Sequence, residues 1–340
     1  MTGRCRAALV IGALASILAL VLAGCGGDAP ADTIVLYNGQ HPQLTNALVQ
    51  AFTRQTHIKV SVRTADGIVL ANQILQEGKA SPADVYLTEN SPELMSLEDH
   101  GLLAKLPAST LAQVPAREES PAGEWVGVAL RVSSLAYQPA QLTRAQLPRS
   151  VLALAGAQWR GRIAVAPLDS DFPPLVGAII ATYGETAAAN WLTGIKRNAQ
   201  TYQDDESVVA AVNRGDVAAG IINQYYWYRL RLEVGERDIH SSLYYFPGHD
   251  PGSIENIAGA AVLASSRHRQ AAQSLVRFIA GATGQRILAA GYDFEYPARP
   301  GIRPNPALPP LSTISPETLR PAALGTDQLA VQLIERAGLS

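Results

Sequence analysis

From Thr33 onward the chain alternates short apolar runs with helical patterns, and this alternation most restricts how it can fold. Thr33 to Tyr37 has the composition of a strand, and Asn38-Gly39-Gln40-His41 follows as a turn. Pro42 suits the first turn of a helix, and Leu44, Leu48, Ala51 and Phe52 then recur at helical spacing. Ile58, Val60 and Val62 alternate as in a second strand, Val69 to Glu77 reads as a helix ended by Gly78, and Ala83 to Leu87 is a third strand. Ser91-Pro92 opens another helix. The order β-α-β-α-β-α predicts a mostly parallel sheet with helices on both faces.

The pattern resumes after a long run, Val126 to Tyr137, that reads as one strand or two, with a crossover into a second lobe near it. Ile163 to Ala166 is a strand, and Pro167 to Pro174 a loop. Helices are expected over Leu175 to Tyr183, Ala187 to Lys196 and Ser207 to Asn213. Gly259 to Ala264 is a strand placed to return to the first lobe. Arg269 to Ala280 and Gly281 to Ala290 are helical, 297 to 310 is a proline-rich connector, and Leu329 to Ala337 is a last amphipathic helix. The expected division places 33–127 with 258–305 in one lobe and 128–257 with 306–340 in the other.

The N-terminus reads as a targeting segment. Arg4 and Arg6 precede an apolar stretch from Ala7 to Ala23, and Leu22-Ala23-Gly24-Cys25 matches a bacterial lipoprotein cleavage signal. Residues 1–24 are the expected signal peptide, Cys25 the lipidation site, and 25–32 a tether. The apolar run is short for a membrane span. Cleavage leaves 25 basic against 29 acidic residues, a net charge of −4, so nothing points to nucleic acid. Cys5 leaves with the signal and Cys25 carries lipid, so the mature domain has no disulfide and no thiolate for a zinc or iron–sulfur site. Two α/β lobes on an exported chain imply a hinged protein that closes around a ligand.

The stretch richest in chemistry is Ile221-Ile222-Asn223-Gln224-Tyr225-Tyr226-Trp227-Tyr228. Val217 to Ile222 is a buried-strand pattern that ends at Asn223, so Tyr225 and Tyr226 fall just beyond a strand's carboxyl end, where α/β sheets place ligands. Phenolate is a hard donor suited to hard cations. A phenol titrates near pH ~10 and ionises at neutral pH only beside a strong positive charge. Ferric iron meets both conditions. Taken alone, the aromatic cluster also fits a packed core, and Tyr244-Tyr245 is a second pair read as packing or surface.

These segments resemble the periplasmic ferric-ion-binding proteins that serve bacterial ABC-type iron importers. The matching pieces are Tyr37-Asn38-Gly39-Gln40-His41, Ser81-Pro82-Ala83-Asp84-Val85 with Glu89, Leu106 to Thr110, Ile222 to Trp227, and Gly259 to Leu263. They extend from about Thr33 to Tyr296. The resemblance implies a two-lobed periplasmic-binding-protein fold of the class II type, with a mixed, mostly parallel sheet in each hinged lobe. It implies Fe(III) as cargo and His41, Glu89, Tyr225 and Tyr226 as its ligands. It also implies a membrane permease as partner, and a monomer is expected.

Members of that family often hold a carbonate or phosphate as a further iron ligand. The corresponding loop here is Asp169-Ser170-Asp171, Asp205 falls near another of the family's anion-binding amides, Asn223 matches, and Asn90 stands where glutamine is common. Either Ser170 and Asn223 still hold a small anion, or an aspartate of this loop replaces it. Asp204-Asp205-Glu206 reads as a solvated helix start, and Arg131 as either a partner for a cleft carboxylate or a surface residue. Competing readings are the same scaffold with an oxyanion, an organic cation or an iron chelate, and a secreted hydrolase. Against the hydrolase, the chain has no Gly-x-Ser-x-Gly elbow and no His-Glu-x-x-His.

Overall fold

The computed structural model describes residues 33–339. The leader at 1–24, Cys25 and the tether at 25–32 lie outside the described residues. Among the described residues no helix is long and apolar enough to cross a membrane.

The first unit follows the alternation in the sequence. Strand β1 (Thr33–Gly39) leads to α1 (Pro42–Thr56), β2 (Lys59–Thr64), α2 (Gly67–Glu77), β3 (Val85–Thr88) and α3 (Ser91–Asp99). Each helix start has a local cause. Pro42 occupies the first turn of α1, where its missing N–H is no loss. Asp66 caps α2 by accepting from the Ile68 and Val69 amides. A short helix, α4 (Ala108–Leu111), precedes the longest strand, β4 (Trp125–Tyr137).

β4 is the seam of the molecule. Its residues Trp125 to Val132 pair antiparallel with β9 (Glu255–Val262), and Ser133 to Tyr137 pair antiparallel with β7 (Ala219–Asn223). The strand therefore passes from one half of the sheet to the other between Val132 and Ser133, a few residues beyond the boundary expected at 127. The whole order is β2-β1-β3-β9-β4-β7-β5-β6, with β5 at Ile163–Val165 and β6 at Ala199–Thr201. Two short strands, β8 (Ser242–Tyr244) and β10 (Tyr296–Pro297), also pair with β4.

The sheet is mixed, and the mixing has a pattern. β1 is parallel to β2 and β3, and β5 to β6 and β7, as helical crossovers require. The antiparallel pairs gather on β4 and β9, the two strands that carry the chain from one half to the other.

In the second half, α7 (Asp205–Arg214) and α8 (Gln224–Val234) pack on the sheet, and α5 (Phe172–Tyr183) and α6 (Glu185–Asn198) pack against each other. α5 begins at Phe172, inside the stretch expected as loop, because Pro173 and Pro174 fit a first helical turn. Gly281 separates α9 (Arg269–Ala280) from α10 (Ala282–Ala290). Two single-turn helices, α11 (Leu311–Ile314) and α12 (Pro321–Leu324), lead to α13 (Gln328–Arg336), which packs against α5 and α6. Two apolar cores result. One holds Leu36, Phe52, Trp125 and Val262, and the other Leu135, Trp159, Trp191 and Ile334.

The strand that leads to the tyrosines lies unusually close to α7. A Cβ added to Gly220 of β7 would lie 2.4 Å from Val208 Cγ1 and 3.1 Å from Val212 Cγ2. Both are β-branched and stiff at χ1. Gly220→Ala is expected to lower stability by about 1–3 kcal/mol through overpacking, read as a lower urea midpoint at unchanged slope. An unchanged midpoint would show that the helix yields freely.

Candidate metal centre

Four chain reversals meet at the carboxyl ends of β1, β3, β5 and β7. β1 delivers Gln40 and His41, and β3 delivers Glu89 and Asn90. The loop after β5 delivers Asp169, Ser170 and Asp171, and β7 leads directly into α8, whose first turn carries Tyr225 and Tyr226. This is where open α/β sheets expose ligand-binding groups. His41, Glu89, Asp169, Ser170 and Tyr226 line a cleft of about 350 Å³.

The structure brings His41, Glu89, Tyr225 and Tyr226 together from both halves of the sheet. His41 Nδ1 lies 3.1 Å from Glu89 Oε1. The His41 ring meets the edge of the Tyr225 ring at 4.9 Å, and the two tyrosine rings lie 4.1 Å apart. Tyr225 Oη donates to Asp171 Oδ2 at 3.0 Å and to Glu89 Oε2 at 3.4 Å. His41 Nε2 is buried with no hydrogen-bond partner. An orphaned ring nitrogen in a polar cleft is a costly arrangement unless something binds it.

Behind these groups lies a cation in the middle of the longest strand. Arg131 of β4 is fully buried. Its Nη2 donates to Asn90 Oδ1 at 2.6 Å and to Asp171 Oδ1 at 3.0 Å. Glu295 Oε1 stands 3.5 Å from Nη1, and Glu89 Oε2 stands 3.9 Å from Nη2. A surface position for Arg131 is thus excluded. Glu295, buried and held also by Gln40 Nε2 at 3.1 Å, was not singled out in the sequence. Its signal is weak: an acid between aromatic residues in Tyr292-Asp293-Phe294-Glu295-Tyr296, just after a helix ends at a glycine.

The anion loop is organised around carboxylates. Asp169 Oδ1 accepts from the Asp171 amide at 3.0 Å, and its Oδ2 accepts from the Asp205 amide at 3.0 Å. Asp205 Oδ2 accepts from the Asn223 amide at 3.1 Å. Asp205 is therefore buried and not part of a solvated helix start; only its neighbour Asp204 acts as the cap of α7, through Ser207 N. Asn223 Oδ1 faces Ser133 Oγ at 3.3 Å, while Asn223 Nδ2 is buried without a partner. Asn90 Nδ2 donates to the Ser170 carbonyl at 3.1 Å, so Asn90 links the two halves. Tyr244 donates to the Pro148 carbonyl away from the cleft, at 2.9 Å.

Burial governs the acidity of the centre. It lowers the His41 pKa well below the usual range, with Arg229 and Arg131 adding to the effect, so the imidazole is neutral at physiological pH. Burial raises the phenols of Tyr225 and Tyr226, helped by Asp171 at the first and Asp169 at the second. It raises Glu89 as well, against the opposing pull of Arg131, and lifts Asp169 to about 7. Burial opposes the charge of Arg131, but Asp171 and Glu89 outweigh it and raise its pKa. The centre is thus rich in oxygens that give up protons only to a strong positive charge. Among the described residues no three His, Cys, Asp or Glu side chains are grouped to hold a metal, so a metal here depends on the phenol oxygens.

Residues 34–292 match the family model of bacterial extracellular solute-binding proteins. The chain belongs to this family. It is a solute-binding protein and not an enzyme. It is 42% identical over 306 residues to the Fe(3+)-binding periplasmic protein of Serratia marcescens, covering 90% of each chain. It is 36% identical over 324 residues to the major ferric iron-binding protein of Neisseria meningitidis serogroup B, covering 94% of this chain and 98% of that one. Iron-bound HitA from Pseudomonas aeruginosa superposes with a TM-score of 0.86 at 40% identity, over 90% of this chain and 99% of that chain. Within the solute-binding proteins, the chain groups with the periplasmic ferric-ion-binding members that its sequence resembles.

Proposed function

We propose that this protein captures ferric iron outside the cytoplasm and delivers it to an ABC-type permease. The observation that carries this is the orphaned, buried His41 Nε2 in a cleft it shares with Glu89 and Tyr226, with Tyr225 alongside. His41, Glu89, Tyr225 and Tyr226 would be the protein ligands. Two phenolates and a carboxylate neutralise a trivalent ion, and the neutral imidazole completes the set. His41 and Glu89 come from one half of the sheet and the tyrosines from the other, so the ion favours the closed arrangement by the contacts it adds there. Each bound phenolate has lost a proton, so affinity falls as pH drops. We also place Cys25 as the lipid anchor of a monomeric protein.

No exogenous anion is needed in this reading. Asp171 stands between the Tyr225 phenol and the buried Arg131, which is the position a small bridging anion would take. The backbone amides of Asp171, Asp205 and Asn223 are already engaged by Asp169 and Asp205. Asp171 therefore takes the anion's place as an internal carboxylate that joins Tyr225 to Arg131, and Asp169 and Asp205 shape its loop. A free oxyanion as cargo would face Asp66, Glu89, Asp169, Asp204 and Glu206, which line the cleft and disfavour that alternative.

The test is a visible spectrum of the metal-stripped protein titrated with ferric ion from a weak chelator. A phenolate-to-iron charge-transfer band is expected without added carbonate or phosphate. In Asp171→Asn the band should become dependent on added anion. A wild-type band that appears only with anion would return Ser170 and Asn223 to the anion-binding role. No band under any condition would remove iron as the cargo.

A further inference from the structure

A second cavity, away from the cleft, lies where α2 and α3 face α13. It measures about 550 Å³. Ile68, Leu75 and Val331 give it apolar walls, and Glu93 and Asp327 place carboxylates in it. Its lining carries four acids, Glu93, Asp99, Asp327 and Glu335, against one histidine, His100, and no lysine or arginine.

Two of these acids have oxygens that the fold does not use. Glu93 is 4% exposed, and while its Oε2 accepts from Tyr86 Oη and Thr88 Oγ1, its Oε1 is buried without a partner. Asp327 sits at the N-cap of α13 yet makes no capping bond, and its Oδ2 is likewise buried and unpartnered. The two come from different elements, the first turn of α3 and the start of α13, so their meeting in one cavity is not a consequence of local sequence. Burial raises the Asp327 carboxyl well above its usual range, with Glu93 adding to the shift, and burial lifts Glu93 to about 7. Once ionised, such unpaired buried carboxylates are unfavourable unless a positive charge joins them.

We propose that this cavity binds an organic ammonium ion, its charge between Glu93 and Asp327 and its apolar body against Ile68, Leu75 and Val331. A metal ion fits less well, because no three His, Cys, Asp or Glu side chains are grouped to hold one among the described residues and the lining adds no phenol oxygen as the ferric cleft does, and because aliphatic walls suit a carbon chain. The assignment is independent of the ferric centre. None of its residues lines the cleft.

The experiment is isothermal titration of the full mature chain, above neutral pH, with hexylammonium, and with hexanoate and hexanol as probes of the same length. Saturable binding of one hexylammonium per chain is expected, with hexanoate and hexanol silent over the same range. Asp327→Asn should weaken it by about tenfold or more, the scale of one charge-assisted hydrogen bond. Val331→Trp, which fills the cavity from its apolar side, should weaken it as much. Asp169→Asn in the ferric cleft should leave it unchanged. No saturable binding by a wild type with a normal unfolding transition would overturn the proposal, as would equal binding by Asp327→Asn and Val331→Trp or equal binding of hexanoate. Loss in Asp169→Asn alone would move the site to the cleft.

Discussion

Tyr226→Phe is expected to weaken ferric binding by more than ~100-fold while leaving the metal-free protein as stable as before. Loss of a group that only orients a metal ligand already reduces affinity 10- to 100-fold, so loss of a direct ligand should exceed that. The ring of Tyr226 packs 4.1 Å from that of Tyr225, and Phe preserves this contact. Tyr225→Phe should weaken binding as strongly but behave differently without metal. Its hydroxyl donates to Asp171 Oδ2 at 3.0 Å, so its removal leaves a buried carboxylate oxygen short of a donor. A stability loss of about 1–3 kcal/mol is expected there. Competition against citrate followed at the charge-transfer band gives the affinities, and urea unfolding of stripped protein gives the stabilities. Ferric affinity in Tyr226→Phe within a few-fold of wild type would remove that phenol from the proposed ligand set.

Much of this centre is legible in the sequence because strand ends are. Tyr37-Asn38-Gly39-Gln40-His41 and Ala219 to Tyr226 each show an apolar run that stops where polar or aromatic residues begin, and topology then brings such ends together. What surrounds them is not local. Arg131 lies in a strand, between Leu130 and Val132, where periodicity alone fits either face. Its burial is decided by Asn90, Asp171 and Glu295, which come from three distant segments. Asp205 looks like an ordinary acid in a helix's first turn, and only the arrival of the Asn223 amide at its Oδ2 shows that it faces inward. The antiparallel centre of the sheet was likewise hidden, because the βαβ pattern describes neighbours in sequence while β4 and β9 pair across 122 or more intervening residues of chain. The cavity of Glu93 and Asp327 had no signal, since neither acid stands at a strand end and the two are joined only by the packing of α13.

The buried arginine gives the second large effect. Arg131→Met replaces a guanidinium of zero exposure with an apolar chain, and leaves Asp171, Glu89 and Glu295 facing one another without their cation. Breaking a buried ion pair by removing one partner typically destabilises by about 3–5 kcal/mol, because the remaining charge stays buried. That range is expected here, read as a lower urea midpoint in the absence of iron. Arg131→Lys should recover only part of it. A lysine keeps the charge but lacks the planar fork that reaches Asn90, Asp171 and Glu295 at once. Raising acidity should narrow the gap between Arg131→Met and wild type. Burial lifts Glu295 to about 7, so in the variant, with its opposing cation gone, this acid takes up its proton at a still higher pH and sheds the repulsion as pH falls. Ferric ion should narrow the gap too, since a trivalent charge bound at Glu89 and near Asp171 supplies what the arginine no longer does. If iron instead widened the gap, Arg131 would be needed to hold the ligands in place more than to balance their charge, and Arg131→Lys would then be expected to bind iron no better than Arg131→Met.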